Sequence, residues 1–438
     1  MKVLPLLLLG LLLPSLALAL PATTGVSNPT IVVGIIATLS GPEAVAGQDT
    51  VDGFTTAMRH LGGRFANQEV RVVVQDDKGS PDAAQQAVKR MLEREKVDFV
   101  LVAVSQAAMA AIHKPLIESR AFILNLDAAP ASLAGMDCSP WLFEVGTPPD
   151  AVMDGVGTYL TGEKMRRIAV IGPDSPVTDA AVTLLRRSWA GEVSAVIRPR
   201  HGAMTYAAEL AKLRQLAPDA VLSLLTGGMA VAFVRDFGAS GLKSDLPMIG
   251  LWPAFERPQL SAMTDPALDI LNVGPWSPDL DTPLNKRLNT DFELEYGRPV
   301  TSWVAQGYDA GLLLDAAMKA TGGRTSDRDA VRNALRRAEF TSVRGAFRFD
   351  TNHVPSINVY LRRVTRDGKG RMSEEVRSVL LKDWHGRDAQ VCPMRWVEEP
   401  APGARPGQPG AAAKPGMPAK PGAPGNAAKP PVGLKKPQ

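Results

Sequence analysis

The stretch Ile31-Val32-Val33-Gly34-Ile35-Ile36 sets the architecture of this chain, because its apolar, mostly β-branched residues continue without a polar interruption. A strand of this kind is covered on both faces, as in a parallel sheet. The turn signal Ser40-Gly41-Pro42 follows it, and apolar side chains then recur at helical spacing from Val51 to Leu61. The sequence therefore predicts a buried strand followed by an amphipathic helix.

The same order of strand and helix recurs along the chain as far as residue 250. Further apolar runs predict strands at 70–74, 97–104, 121–126, 167–171, 193–197, 220–225 and 248–250. A proline-marked break at 147–150 separates two βαβα blocks, which predict an α/β fold with two doubly wound parallel sheets. Ligands of such sheets bind beyond the carboxyl ends of the strands.

The region after residue 270 has a different order of elements. A strand at 270–273 precedes three helical patterns, at 284–296, 302–320 and 327–338. Three strands with alternating polarity follow, at 347–350, 357–364 and 376–382. Alternation of this kind predicts antiparallel pairing.

Both ends of the chain are predicted to lie outside the folded part. Residues 1–20 contain Lys2, a leucine-rich run and a small-residue stretch, which is the layout of a secretory signal peptide. Residues 401–438 are mostly Pro, Ala and Gly with spaced lysines, a composition that predicts a disordered tail. Removing Lys2 and the six cations of that tail from the net charge of +4 leaves −3. The basic balance therefore gives no support to nucleic-acid binding.

No motif for catalysis or metal binding stands out. The loop at 38–43 is neither a dinucleotide fingerprint nor a Walker loop, and no nucleophile elbow or HExxH occurs. The five histidines are scattered singly and no CxxC occurs, so neither a metal nor another cofactor is expected. Asp76-Asp77 follows a strand and is interpreted as a turn with solvated carboxylates. The sequence favours a binding protein over an enzyme.

The chain has two cysteines, Cys138 and Cys392. An exported chain meets an oxidising compartment, where an even number of cysteines favours a disulfide. Two buried, unpaired thiols are the alternative.

Several motifs stand in a characteristic order along the chain. They are Ile31-Val32-Val33-Gly34-Ile35 with Leu39-Ser40-Gly41-Pro42, residues 70–74 leading to Asp76-Asp77, Ser80-Pro81-Asp82-Ala83-Ala84, Ala169-Val170-Ile171, and Gly238-Ala239-Ser240-Gly241-Leu242 before Pro247-Met248-Ile249-Gly250. Over about residues 30–385 this order resembles the periplasmic amino-acid-binding proteins of ABC importers. The resemblance is greatest to the branched-chain amino-acid (Leu/Ile/Val) receptors, which have the type I periplasmic binding fold.

This resemblance implies two lobes that close over a small ligand by bending at hinge segments. The three crossovers between the lobes would lie near residues 145–149, 274–277 and 350–357. The first lobe would combine 30–145 with 276–350, and the second 150–273 with 356–385, followed by a C-terminal extension at 386–400.

The resemblance also implies where the ligand binds. Members of the family bind the ligand carboxylate with hydroxyl and N–H groups of the first lobe, and the amino group with acidic and aromatic groups, chiefly of the second. The corresponding candidates in this chain are Ser40, Ser105, Gln106, Asp127, Ala128, Ala129, Asp174, Thr226, Trp252 and Trp303.

This chain departs from the family pattern at four of these positions. Trp252 stands where the family places its acid, and Thr226 stands near its tyrosine. Asp127 stands where the family has a small neutral residue, and Ala129 lacks the expected hydroxyl. Because a buried ammonium needs a paired charge, either Asp127 or Asp174 supplies it, or the ligand carries no α-ammonium. We favour the second alternative, since a ligand with a carboxylate or amide end and a flat or apolar body suits Trp252 and Trp303.

Four of the candidates also have structural interpretations. Ser105 can cap the helix that follows it. Trp303 can pack in the core, Trp252 can cap the surface of a lobe, and Asp127 can pair with an arginine outside the cleft. The sequence leaves these alternatives open.

The resulting prediction is a periplasmic, monomeric solute receptor without enzymatic activity. It would capture a small polar or amphipathic ligand, such as an amino acid, an amide or a carboxylic acid, by closure of two lobes. It would then deliver the ligand to an ABC permease in the inner membrane. The alternative is an extracellular sensor or envelope-associated binding protein that is no longer coupled to transport.

Overall fold

A computed structural model of the chain describes residues 30–41, 44–127 and 129–394. The predicted signal peptide at 1–20, the predicted tail at 401–438 and the candidate site residue Ala128 lie outside the described residues. None of the helices in the described part combines the length and apolar character that crossing a bilayer requires.

The first apolar run forms β1, the centre of a six-stranded sheet with the order β2-β3-β1-β4-β5-β6. All its side chains except that of Val32 are buried, as the unbroken apolar sequence predicts. β1 pairs in parallel with β3 and β4, so that Val33 lies opposite both Val72 and Phe99. The strands are β1 (Ile31–Ala37), β2 (Arg64–Phe65), β3 (Gln68–Asp76), β4 (Phe99–Ala103), β5 (Phe122–Asn125) and β6 (Leu142–Glu144).

We call this sheet and the helices packed with it lobe 1. Its helices are α1 (Ala44–His60), α2 (Pro81–Arg90), α3 (Gln106–Glu118), α9 (Pro283–Tyr296), α10 (Ser302–Ala320) and α11 (Arg328–Arg337). α10 lies so close to α1 that glycine is required at both helices. A Cβ on Gly53 would lie 2.1 Å from the carbonyl oxygen of Val304, and a Cβ on Gly307 would lie 2.1 Å from that of Thr50. This contact fixes the start of α10 to lobe 1.

The second sheet has eight strands in the order β12-β13-β11-β10-β9-β7-β8, with β14 beside β13. It is parallel from β8 to β11 and antiparallel from β11 to β14, so both predicted pairing modes are confirmed. The strands are β7 (Arg167–Ile171), β8 (Glu192–Ile197), β9 (Ala220–Ser223), β10 (Met248–Leu251), β11 (Leu271–Gly274), β12 (Phe347–Phe349), β13 (Pro355–Arg366) and β14 (Met372–Trp384).

We call this second sheet and its helices lobe 2. The helices are α4 (Pro149–Gly162), α5 (Pro176–Ser188), α6 (Ala207–Leu216), α7 (Gly227–Ala239) and α8 (Arg257–Met263). The sequence analysis interpreted 147–150 only as a break and did not predict α4. In the structure Pro149 occupies the first turn of α4, where its missing N–H costs no helical hydrogen bond. The same proline therefore both ends one block and begins a helix.

The chain passes between the lobes at three places: after β6, after β11 and between α11 and β12. The third place differs from the expected 350–357. β12 already pairs with β13, with Phe347 opposite Ile357, so residues 347–349 belong to the sheet of lobe 2 and the crossing precedes them. The turn after β12 stays in contact with lobe 1, because the carbonyl of His353 accepts a hydrogen bond of 3.0 Å from the N–H of Glu144.

A disulfide joins Cys138 to Cys392, whose Cα atoms are 5.8 Å apart. Cys138 lies in the loop before β6 of lobe 1, and Cys392 follows the last strand of lobe 2. Of the two arrangements that the sequence left open, the structure has the paired one. The bond ties the segment after β14 to lobe 1.

Candidate ligand-binding cleft

A cavity of about 380 Å³ lies between the two lobes, at the carboxyl ends of their parallel strands. Such a position is where ligands of doubly wound sheets bind. Lobe 1 lines it with Thr38, Gly47, Ala103, Ser105, Asp127 and Trp303, among others. Lobe 2 lines it with Thr226, Gly227, Pro253, Ala254 and Gln259.

Four predicted site residues therefore meet in this cavity: Ser105, Asp127, Thr226 and Trp303. Ser105 lies two residues after the end of β4 and is the N-cap of α3, where its Oγ accepts a hydrogen bond of 3.3 Å from the N–H of Ala108. The structure confirms the capping interpretation of Ser105, and capping leaves ligand binding open because a hydroxyl that accepts at a cap still has its own proton to donate. Its proton is the part that a ligand can use.

Thr38 is a cavity residue that the sequence analysis missed. It follows β1 directly, and its Oγ1 is buried without a hydrogen-bond partner in the described part of the chain. A buried hydroxyl of this kind costs free energy unless something bonds to it, and a polar ligand is one such partner. The signal that could have identified it is its place at the carboxyl end of the central strand.

Ser40 was predicted instead of Thr38, but it is exposed and does not line the cavity. Its hydroxyl hydrogen-bonds the carboxylate of Asp76. Asp76 also accepts a bond of 2.9 Å from the N–H of Leu39, and these bonds together hold its pKa below the ordinary value against the opposing effect of burial. The loop after β1 is therefore fixed by Asp76, and Ser40 belongs to that support.

The interpretation of Asp76-Asp77 as solvated carboxylates is wrong for Asp77. Its side chain is fully buried and accepts a bond of 2.9 Å from the N–H of Gly79. The turn encloses this carboxylate. Its burial depends on the packing of the surrounding residues, which the dipeptide Asp76-Asp77 alone does not indicate.

Trp303 forms an aromatic wall of the site, and Trp252 packs against it from outside the cavity. The ring centroids of Trp303 and Trp252 are 5.8 Å apart and the rings are tilted by 51°. Trp303 lines the cavity, and Trp252 packs beside it without being among the lining residues. The indole N–H of Trp252 is buried without a partner in the described residues. Trp252 therefore acts on the cavity through Trp303 and through the neighbouring Pro253.

Gln259, on α8, is the second cavity residue that the sequence analysis missed. Its Oε1 is buried and has no hydrogen-bond partner among the described residues. It lies seven positions after the predicted Trp252, beyond the loop that follows β10. Lobe 2 thus offers the cavity a neutral hydrogen-bond acceptor, whereas the family pattern predicts an acid on this lobe.

Three predicted residues lie away from this cavity. The side chain of Asp174 is 83% exposed and lies 3.4 Å from Arg198, so the structure does not bring it to the cleft. The amide of Gln106 donates a bond of 3.1 Å to the carbonyl of Ala129. These two residues line a second cavity, of about 560 Å³, beside the first crossover.

Buried acidic groups surround that second cavity. Glu144, at the end of β6, is almost fully buried, and burial raises its pKa to about 7. A hydrogen bond of 3.1 Å from the amide of Asn125 opposes this rise, and the nearby charge of Asp127 adds to it. Burial also raises the pKa of Asp150, with contributions from Asp388 and Asp154. Among the described residues no three His, Cys, Asp or Glu side chains are grouped as metal ligands.

The cleft between two doubly wound sheets, with hydroxyls at strand ends on one side and an aromatic wall beside them, defines a two-lobed solute receptor. The family model described as periplasmic binding protein matches residues 30–369. The chain belongs to this family. The predicted resemblance and the predicted fold class are confirmed.

Relatives and solved structures agree with this assignment. The Leu/Ile/Val-binding protein homolog 6 of Brucella melitensis is 22% identical over 377 residues, which cover 82% of this chain and 93% of the relative. A solute-binding protein of an ABC transporter from R. palustris, solved with benzoate, is 24% identical with a TM-score of 0.73 and covers 82% of this chain and 99% of its own. The leucine-binding protein LivK of Thermotoga maritima is 17% identical with a TM-score of 0.67, covering 80% and 98%.

Proposed function

We propose that this protein is a periplasmic receptor that captures a small, flat carboxylic acid and delivers it to an ABC permease. The observation that carries the proposal is the pairing of two hydroxyls, on Thr38 and Ser105, with the aromatic wall of Trp303 in one cavity. Hydroxyl groups donate to a carboxylate, and an indole face packs on a flat apolar body.

The lack of an acidic side chain among the described lobe 2 residues that line the cavity favours a carboxylic acid over an amino acid. An ammonium enclosed in a closed cleft needs a carboxylate beside it. Asp127 lines the cavity, but Asp174 is exposed and paired with Arg198. The family's second-lobe acid is replaced by Trp252, so lobe 2 offers no charge at that place. A ligand without an α-ammonium avoids this deficit.

Gln259 narrows the ligand class further. Its Oε1, which has no hydrogen-bond partner among the described residues, can accept a hydrogen bond from a hydroxyl at the end of the ligand remote from the carboxylate. A hydroxylated aromatic acid has both groups on one rigid ring. Solved relatives from R. palustris are described in complex with benzoate and with 4-hydroxybenzoate, and these likenesses support the proposal.

Capture follows from closure of the cleft. A ligand that contacts both lobes only in the closed form shifts the population toward that form. Micromolar affinity corresponds to about −8 kcal/mol, which a few charge-assisted hydrogen bonds and one aromatic wall supply. No covalent step is needed.

Export is the remaining part of the proposal. Residues 1–20 carry the predicted signal peptide, and the bond between Cys138 and Cys392 suits an oxidising compartment. The relatives described as ABC solute-binding proteins support a permease as partner.

Isothermal titration calorimetry with benzoate, 4-hydroxybenzoate and leucine tests the ligand class. We expect both acids to bind, 4-hydroxybenzoate more tightly, and leucine to give no heat of binding. The variant Gln259→Leu is the matched test, because it should remove the preference for the hydroxylated acid and leave benzoate binding in place. Tight binding of leucine and none of either acid would overturn the proposal.

A further inference from the structure

Glu256 lies in lobe 2 immediately before α8 and reaches across to lobe 1. Its Oε1 and Oε2 lie 3.1 and 3.2 Å from the backbone nitrogen of Ser302, the first residue of α10, and the hydroxyl of Ser302 also donates to Oε1. Glu256 is 2% exposed and Ser302 is fully buried. A carboxylate is a favourable partner for these N–H groups, because the first turn of a helix leaves them without intrahelical acceptors.

A second contact between the lobes lies beside the first. Arg257, the next residue, donates a bond of 2.8 Å to Glu293 on α9 of lobe 1. Its Nε donates to the hydroxyl of Ser373 in lobe 2, which holds the guanidinium on its own lobe. Two consecutive residues of lobe 2 thus bind the start of one lobe 1 helix and the body of another.

These contacts border the ligand cavity without lining it. Ser302 precedes the cavity residue Trp303, and Glu256 stands three positions before the cavity residue Gln259. The segments that carry Trp303 and Gln259 at the cavity therefore also meet at the contact between Ser302 and Glu256.

We propose that Glu256 and Arg257 form a latch that holds the two lobes closed, with Glu256 on the α10 N-terminus as its main contact. The proposal rests on the proposed receptor function but not on the identity of the ligand. Glu256 is a positioning residue, since it touches neither the cavity nor a bound molecule.

The surroundings of Glu256 make the latch sensitive to pH. It is faced by Glu374 and Arg362 from lobe 2 and by Ser302 from lobe 1, and Arg362 pairs with Glu374 at 2.9 Å. Glu374 is in turn faced by Arg257 and Asp279. Burial raises the pKa of Glu256 to about 8, the charge of Glu374 adds to this rise, and Arg362 and Ser302 oppose it.

The sign of the pH effect follows from this burial. A carboxyl whose pKa is higher in the closed form than in the open form takes up a proton on closing. Proton uptake by Glu256 therefore favours closure most at pH values below its ordinary pKa of 4.5, and this contribution decreases as pH rises and is lost above about pH 8. The Glu256→Gln variant keeps an acceptor for the Ser302 N–H but has no proton to exchange, so its closure should not depend on pH in this range.

The distance between the lobes tests the latch without any ligand. Spin labels on Lys89→Cys in α2 and Lys212→Cys in α6 report it, since both positions are exposed and lie on different lobes. In the full chain we expect the ratio of closed to open forms to fall about tenfold in Glu256→Ala, because the hydrogen bonds that Ser302 donates to the Glu256 carboxyl group are lost. We expect the ratio of closed to open forms to fall in wild type as well when the pH is raised from 6 to 9. In Glu256→Gln we expect the ratio to be independent of pH over this range.

Ser302→Ala is the second variant, because it removes one donor from lobe 1 and leaves the charges of lobe 2 in place. Its closed population should lie between those of wild type and Glu256→Ala. Equal distance distributions in wild type and Glu256→Ala at every pH would overturn the latch. Failure of benzoate to bind or to shorten the distance in wild type would contradict the proposed ligand class alone, since the latch is measured in the unliganded protein.

Discussion

The two lobes line the cleft with different kinds of residue. Lobe 1 presents the strand ends Thr38, Ser105 and Asp127 together with Trp303, which α10 holds against α1. Lobe 2 presents the hydroxyl-bearing Thr226 and the buried amide oxygen of Gln259, together with Gly227, Pro253 and Ala254. Under the proposed function, lobe 1 would supply the donors to a carboxylate, and lobe 2 would cover the ligand and hold the cleft closed. Ligand specificity and closure are therefore expected to respond to different substitutions.

The largest effect is expected on the free energy of unfolding, on removal of the disulfide between Cys138 and Cys392. The double variant Cys138→Ser with Cys392→Ser should lower the free energy of unfolding by about 3 kcal/mol, because the bond closes a long loop in the unfolded chain. The sequence separation of the two cysteines is 254 residues. Chemical denaturation under oxidising conditions measures the change.

The disulfide prediction has a clear control. Wild type treated with a reductant should match the double variant, whereas ligand affinity should change little in either, because neither cysteine lines the cleft. An unfolding free energy equal to that of oxidised wild type would contradict the structural role of the bond.

Removal of the aromatic wall should have the largest effect on ligand binding. Trp303→Ala should weaken benzoate binding by about 100-fold, since an indole face in a desolvated site contributes much of the binding energy. Calorimetry measures the affinity. Trp303→Phe should recover part of the loss, and Trp141→Ala, which alters a tryptophan of lobe 1 outside the cleft, should leave affinity near wild type.

The hydroxyls of lobe 1 should contribute less than the indole. Thr38→Val and Ser105→Ala should each weaken binding of benzoate by about tenfold, because each removes one donor to a carboxylate. Ser40→Ala is the matched control, since Ser40 is exposed and supports Asp76 instead. A loss in Ser40→Ala as large as in Thr38→Val would move the carboxylate site to the loop after β1.

Substitution of Asp127 should have the smallest effect on ligand affinity. The direction of that effect distinguishes a carboxylic acid from an amino acid as the ligand. Asp127→Asn should change the affinity for benzoate by no more than about threefold and toward tighter binding, because it removes a negative charge from a site for an anion. Asp174→Asn should change nothing, because its side chain is 83% exposed. Loss of binding in Asp127→Asn would indicate a ligand ammonium paired with this carboxylate.

Much of the fold could be predicted from the sequence because each buried strand is a local signal. The runs at β1 and β4 are apolar throughout, and β7 is apolar after its exposed first residue, Arg167; the burial of these runs follows from that composition. α4 was missed because its first residue is a proline in a proline-marked break. The third crossing was misplaced because β12 is a three-residue strand whose pairing depends on β13, which follows it in the chain.

The site was less predictable, for a physical reason. Ser105, Asp127 and Thr226 were predicted from the resemblance to the amino-acid receptors, and the transfer places them at the cavity because positions after strands are fixed by topology. Gln259 lies on a short helix that no strand end marks. The contact of Glu256 with Ser302 joins residues 46 positions apart on different lobes, and no local pattern connects them.

Whether the ligand is a carboxylic acid without an amino group is tested by native mass spectrometry of the protein, purified from its host without denaturant, because this measurement identifies the molecule that the cleft retains. We predict a bound carboxylic acid without an amino group, released when the lobes unfold and absent from Trp303→Ala. A retained free amino acid, present in wild type and lost in Asp127→Asn, would contradict it.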